Sequence, residues 1–462
     1  MTHDTIESTD EVQRPTKPRP FPILIGQGSY GYIHYPPLDI ETDDSTNTCS
    51  LQNYVSKLLT SEYATKEMNK YKMIQQVDPT GLFHLGQFIL ARPSRTNKVA
   101  LASLDDGKYI IDHLDEYRII IMKYGGVSVR KYVNKIRADV KHHIITEQRM
   151  RDVAMFWKES SRLFQGVQTM MNRRLIHHDI KTDNMVYDAS NARINVIDFG
   201  LTNYMSTIRE KAYADNYSFA IFYYNMPPEL YFYSKSRFDA WRRMTLTERQ
   251  IEFACLETTW LELEPNDVHP CALHALNNFS ESHDTNTTES GEELDKTEYN
   301  NDYSYSDSLA LSEKELRHYR DFEDRLLQTP FLVKPPSLFK RSEPIHPESC
   351  LFRPPKHPSR LHRDSYVPIH EQMHQDFRQF LLHDIDTFTD FDTFLTRSME
   401  TFDLYGLGYT LLYNLVHTHT FFSDESVQSL YVLLGKMLNN NVTQRIRVNA
   451  AYQEFMDIIG NA

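Results

Sequence analysis

The sequence predicts an α+β fold with a strand-rich first part, a mainly helical second part, and a long insertion within the second. Three observations carry this expectation. Short β-type runs flank a glycine turn between Pro22 and Ile33, and another such run covers Tyr117 to Met122. Apolar residues recur at helical spacing between Val153 and Met171, and the periodicity of packed elements returns between about 375 and 462. Between these blocks the composition turns first acidic and then proline-rich. A chain of 462 residues holds two or more domains, or one domain with long insertions, and its 40% hydrophobic and 12% aromatic residues suffice for a sizeable core.

In chain order, residues 1–20 are polar, acidic at first and then proline-rich. Without an apolar stretch they read as a flexible tail that carries no secretory signal. Pro22 to Ile33 reads as strand, glycine turn and strand, because Gly26, Gly28 and Gly31 permit a tight reversal between β-forming residues. Tyr54 to Leu59 is another short strand, Ser61 to Gln76 a helix candidate, and Tyr117 to Met122 a buried strand. Val153, Phe156, Trp157, Phe164, Val167 and Met171 fall on one face of a single long amphipathic helix that ends just before Leu175. Met185 to Tyr187 and Ile194 to Ile197 are two short strands joined by the turn-prone Asp188 to Asn191.

Residues 280–308 set nine acidic residues against one lysine among Ser, Thr and Asn, a composition expected to stay disordered. Residues 330–368 are rich in proline and carry basic side chains such as Lys334, Arg341 and Arg363, so an extended run over a surface is expected.

Several function classes are set aside at this level. No run approaches the roughly 18 to 20 apolar residues of a spanning helix, so no membrane role is expected. Lys and Arg total 50 against 63 Asp and Glu, a net charge of −13, and an acidic body lacks the broad positive field of a nucleic-acid binder. Cys49, Cys255, Cys271 and Cys350 are widely spaced and read as free thiols, which with the absence of a signal implies an intracellular, cytoplasmic protein.

The chemistry-bearing residues lie in three stretches. Gly26, Gly28 and Gly31 in IGQGSYGYI let backbone N–H groups approach phosphate, and strands on both flanks favour a loop over the phosphates of ATP rather than a dinucleotide turn. LIHHDIKTDN, residues 175–184, is followed fourteen positions after Asn184 by Asp198-Phe199-Gly200. This pair of segments resembles the catalytic and metal-binding loops of eukaryotic-type protein kinases. Phosphoryl transfer needs a carboxylate at the attacking hydroxyl and positive charge over the phosphate oxygens, which accounts for these residue types.

The resemblance implies a two-lobed fold, with a β-rich N-lobe over 21–122, a C-lobe over 123–229 and 399–462, and an insertion over 230–398. It makes Asp179 the catalytic base and Lys181 the cation beside the transferred group, with Asn184 and Asp198 holding Mg²⁺. Lys57 would anchor ATP and pair with Glu67, or with Glu62. Met122 to Gly126 would form the hinge, where the backbones of Lys123 and Gly125 bond adenine. Pro227-Pro228-Glu229 would close the activation segment, and Glu229 would pair with Arg445. Asp403 would brace the catalytic-loop backbone, with Asp239 beside Trp241 as a competing candidate.

YGYIHYPPL, YVSKLL, the VDP of 77–79 and PPEL resemble, more narrowly, the divergent serine/threonine kinases of large cytoplasmic DNA viruses such as iridoviruses and mimiviruses, which implies host cytoplasm or a virion. Lys181 implies a serine or threonine acceptor in a protein substrate. His178 stands where these kinases carry an arginine that pairs with a phosphorylated segment, so such control would be weak or would depend on pH through the imidazole. Phe222 departs from the threonine common in the family. Two other readings compete: a pseudokinase scaffold that recruits partners through the insertion, and phosphoryl transfer to a small molecule. The substrate and the oligomeric state are left open by the sequence.

Overall fold

The computed structural model describes residues 21–28, 31–41, 51, 53–142, 144–217, 225–261 and 369–460. The expected tail, the acidic and proline-rich tracts, Phe222, three of the four cysteines and the Cys255 side chain lie outside the described residues. The protein has mixed α and β structure, β-rich in its N-terminal region and helical in its C-terminal region, and it divides into two compact units. No helix among the described residues is long and apolar enough to cross a membrane.

The first unit comprises the described residues up to Met68 together with 87–124. Its strands are β1 (Ile23–Gly28), β2 (Gly31–Tyr35), β3 (Tyr54–Thr60), β4 (Ile89–Ala91) and β5 (Tyr117–Lys123). They form one antiparallel sheet in the order β1-β2-β3-β5-β4. The register sets Lys57 opposite Ile33 on one side and Ile120 on the other. In β5, Ile119, Ile120 and Ile121 are buried, each worth about 1.5–3 kcal/mol of transfer free energy. The short helices α2 (Lys98–Leu101) and α3 (Gly107–Asp112) cover the sheet, and Leu58, Leu101, Ile110, Ile119 and Ile121 share one core. Gly31 is required by packing, since a Cβ there would lie 2.4 Å from the Leu58 carbonyl oxygen on β3.

Helix α1 (Ser61–Val77) matches its expected range, and its residues from Asn69 onward belong, with the turn to Gly86, to the second unit. The two units thus divide otherwise than at 122: 69–86 falls in the second and the first extends to Tyr124. The reason is a set of contacts invisible to local patterning. The Val196 amide donates to the Phe83 carbonyl at 2.7 Å, Arg162 donates to the Leu82 carbonyl at 2.9 Å, and a Cβ on Gly166 would lie 2.8 Å from the Phe83 Cβ. Asp78 ties the turn by accepting from the Leu82 and Phe83 amides and from His84 Nδ1.

The rest of the second unit is mainly helical: α4 (Val129–Lys141), α5 (Glu147–Glu159), α6 (Ser161–Asn172), α7 (Met205–Tyr213), α8 (Lys235–Arg243), α9 (Leu246–Leu261), α10 (Ile369–Leu382), α11 (Phe391–Thr418), α12 (Asp424–Met437) and α13 (Val448–Gly460). The single long helix expected over 153–171 is two. Ser160 interrupts it, its amide shared between the carbonyls of Phe156 and Trp157 and its hydroxyl bonded back to Phe156. Two short ladders complete the unit, one pairing β7 (Leu175–Ile176) with β10 (Asn203–Tyr204). The other runs β6 (Val127–Ser128), β8 (Met185–Asp188), β9 (Arg193–Val196).

Packed chain is expected from about 375, and the described residues resume at 369. Helix α11 begins at Phe391, and Phe238, Trp241, Phe377, Phe380, Phe388 and Phe394 bury together from both sides of the gap between 261 and 369. Arg249, itself buried, closes this junction through both carboxylate oxygens of Asp386 and the carbonyls of Trp241 and Leu382. Local periodicity cannot show such a core, because the two halves of its aromatic face are more than a hundred residues apart in sequence.

Candidate active site

In the first unit, the Lys57 ammonium meets both oxygens of Glu67, each at 2.8 Å, with 13% and 9% of the two side-chain surfaces still exposed. Glu62 lies on another face of α1 and pairs with Lys66, which decides between the two candidate glutamates. Gly28 pairs with Gly31 at the closed end of the β1–β2 hairpin, whose tip, residues 29–30, lies outside the described residues. Gly26 faces Ile33 at ordinary contact distance, so packing does not demand glycine there. Lys123 ends β5 opposite Tyr54. Gly125, in the second unit, sits where a Cβ would meet the Val186 and Leu85 side chains at 2.5 and 2.7 Å, a packing reason for glycine independent of any ligand.

In the second unit, the loop after β7 carries His177 to Asn184. Leu175 and Ile176 are held by pairing with β10, and the chain then turns through His178, whose φ is +69°. Asp403, on α11, accepts the His177 amide at 2.7 Å and the His178 amide at 3.0 Å, one on each oxygen. Burial pushes this carboxyl up to about 7, against the two N–H donors that favour its ionised form. The competing Asp239 instead pairs with Lys235 on α8, and Trp241 donates to the Leu381 carbonyl, so the bracing role lies with Asp403.

The Asp179 carboxylate is the centre of the loop. Its Oδ2 receives the Lys181 ammonium at 2.8 Å and the Asn184 amide at 2.7 Å, and the same Asn184 nitrogen donates to the Asp179 carbonyl. His177 orders the backbone, its Nδ1 accepting the Asp179 amide and its Nε2 lying 3.3 Å from the Ile197 carbonyl. Burial pushes its pKa down, so the neutral ring suits one acceptor and one donor nitrogen. The Ile197 amide donates to the Asn184 carbonyl at 2.9 Å, placing Asp198 one residue beyond that tie. Asp198 itself has φ +59°, a left-handed conformation that aspartate tolerates better than most residues.

His178 meets the Leu201 carbonyl through Nδ1 at 3.0 Å and the Tyr217 hydroxyl through Nε2 at 3.1 Å. Burial pushes its pKa down to about 3, so the ring is uncharged at neutral pH. Control through titration of this imidazole near neutrality, one of the expected possibilities, is therefore not supported. Two further residues join the site without having been expected. Lys70, on α1, donates to the Thr202 carbonyl at 2.7 Å and to Asn203 Oδ1 at 3.0 Å, its pKa lowered chiefly by burial. Asn225 donates to the Ile180 carbonyl at 3.0 Å and lies 3.5 Å from Asp179 Oδ1. Neither sits at a recognisable motif spacing.

The donor set fits a hard divalent cation. Because the Asn184 nitrogen is used by Asp179, its carbonyl oxygen is the end left to ligate, and Asp198 adds a carboxylate. Among the described residues no cluster of three or more His, Cys, Asp or Glu is arranged to hold a metal. Further along, Glu229 and Arg445 form a two-pronged pair at 2.7 and 2.8 Å with no solvent exposure, as expected from the sequence. No protein-family model and no curated protein sequence matches the chain.

Proposed function

We propose that this chain is a serine/threonine protein kinase of the two-lobed type that transfers the γ-phosphoryl group of ATP to protein hydroxyls with Mg²⁺. The observation that supports it most is the Asp179 carboxylate, met on one oxygen by an ammonium and an amide in a loop braced by Asp403. Phosphoryl transfer asks the protein for positioning and charge rather than covalent chemistry, and this set supplies both.

In the proposed reaction the acceptor oxygen bonds to the γ-phosphorus as the bond from phosphorus to the β–γ bridging oxygen breaks. ADP leaves, and the acceptor proton passes to Asp179. Lys181 places positive charge beside that carboxylate and the transferring group. Asn184 and Asp198 would hold Mg²⁺, which when bound offsets charge on the phosphate oxygens. Lys57, oriented by Glu67, would grip the phosphates, the glycine hairpin would cover them with backbone N–H groups, and the backbones of Lys123 and Gly125 would bond adenine.

The test is incubation with labelled ATP, Mg²⁺ and generic acceptor proteins, comparing wild type with Asp179→Asn and identifying the modified amino acid. Phosphoserine or phosphothreonine should form with wild type and fall by about 10²–10⁴-fold in the variant. Nucleotide binding without transfer by wild type would favour the scaffold reading, and undiminished transfer by the variant would remove Asp179 from the site.

A further inference from the structure

Asn225 lies four residues before Glu229 and is 1% exposed. Its two neighbours, the Ile180 carbonyl and Asp179 Oδ1, are both acceptors, so the amide must present its NH₂ to them. The opposite end, Oδ1, is buried and has no hydrogen-bond partner among the described residues. Any duty of this side chain toward the loop therefore lies at its nitrogen end.

That duty follows from how the Asp179 oxygens are divided. Oδ2 carries the short contacts from Lys181 and Asn184, whereas Asn225 reaches Oδ1 at the weak distance of 3.5 Å. An oxygen already holding two strong donors, one of them charged, is the poorer base, and the weakly engaged one keeps lone-pair density for a proton. Gly406 on α11 closes the far side, since a Cβ there would lie 2.8 Å from the Ile180 carbonyl oxygen and 3.3 Å from that of Asn225. The Ile180 and Asn225 backbones are thus pressed against one helix, which fixes the bridge between them.

We propose that Asn225 is a positioning residue: by bridging the Ile180 carbonyl and Asp179 Oδ1 it holds the carboxylate at the rotation in which Oδ1 receives the acceptor proton. This rests on the kinase reading above. The full chain carrying Asn225→Ala is compared with wild type for kcat, for KM toward ATP, for nucleotide affinity by equilibrium binding, and for thermal midpoint. The expected result is a fall in kcat of about 30-fold with KM for ATP and nucleotide affinity within about twofold. Asn225→Ser, which restores a short donor, should recover part of kcat.

Retention of kcat within about threefold in Asn225→Ala would overturn the assignment. So would a parallel loss of kcat, nucleotide affinity and thermal midpoint, the mark of a merely structural residue. Should Asn225→Ala not fold, Asn225→Leu fills a similar volume without a donor and is read against the same limits. A wild type that transfers no phosphate sinks the kinase reading and this role together, whereas an active wild type with an indifferent Asn225 sinks this role alone.

Discussion

Two ion pairs in this protein have nearly identical geometry and opposite surroundings. Glu229 and Arg445 meet at 2.7 and 2.8 Å with no exposure, and Lys57 and Glu67 meet at 2.8 Å twice with part of each side chain in solvent. Around Arg445 the remaining donors go to Thr401 Oγ1 and the Asn439 carbonyl, and its guanidinium lies 4.8 Å from the centre of the Tyr405 ring. Ser398 donates to Glu229 as well. A pair whose hydrogens and lone pairs find partners inside the protein holds chain segments together, whereas a pair that keeps solvent contact can trade part of that contact for a ligand. The loop from His177 to Asn184 is intermediate: the Lys181 and Asn184 side chains meet that of Asp179, while Asp403 holds the His177 and His178 backbone amides.

The largest effect is expected at Asp198, one residue beyond the tie between Ile197 and the loop after β7. Asp198→Asn keeps a residue that tolerates the left-handed backbone, so the thermal midpoint should hold while phosphoryl transfer falls by at least about 10³-fold. Normal turnover would show that the loop's buried polar residues serve the fold alone. Next in size, Arg445→Met strands Glu229 in the core and should cost about 3–5 kcal/mol, read as a drop of about 10 °C in thermal midpoint. A shift within about 2 °C would mean that complete burial is not what makes this pair structural.

Lys57→Met should lower kcat/KM for ATP by about 10²-fold, or about 2.7 kcal/mol, with a far smaller stability loss than Arg445→Met. A stability loss equal to that of Arg445→Met would erase the distinction between the pairs. The smallest effect concerns His34 in β2, 1% exposed, whose pKa burial pushes from 6.5 down to about 4. The unfolded chain takes up a proton near pH 6.5 that the folded unit refuses until about pH 4, so stability falls as the pH drops through that window. Between pH 7 and 5.5 the loss should be about 1 kcal/mol, visible in urea midpoints. His34→Leu should remove that share of the acid dependence and leave the part contributed by the other imidazoles whose pKa burial lowers, His177, His178 and His417; an unchanged slope in that variant would place the whole acid sensitivity elsewhere.

How far each part was legible follows from the range of the interactions that make it. Helix α1 and strands β3, β5, β8 and β9 are written in short windows, where periodicity carries the signal, while the roles of Asp179, Lys181, Asn184 and Asp198 rest on a resemblance of motifs. Glu67 needed the register of α1 to be chosen over Glu62, and Asp403 needed its two amide contacts to be chosen over Asp239. The break at Ser160 escaped because one hydroxyl competing for a backbone carbonyl barely alters an apolar stripe.

The amino-acid order by itself determined which polar side chains share the loop after β7 and which stretches would become strand or helix, since both are properties of neighbours along the chain. Tertiary structure alone decided that 69–86 belongs with the second unit, that the aromatic core closes across the gap from 261 to 369, that Lys70 reaches Thr202 and Asn203, and that Asn225 stands beside Asp179 and Ile180. Those outcomes depend on contacts between residues tens to hundreds of positions apart, whose burial and hydrogen bonding are settled only when the whole chain packs.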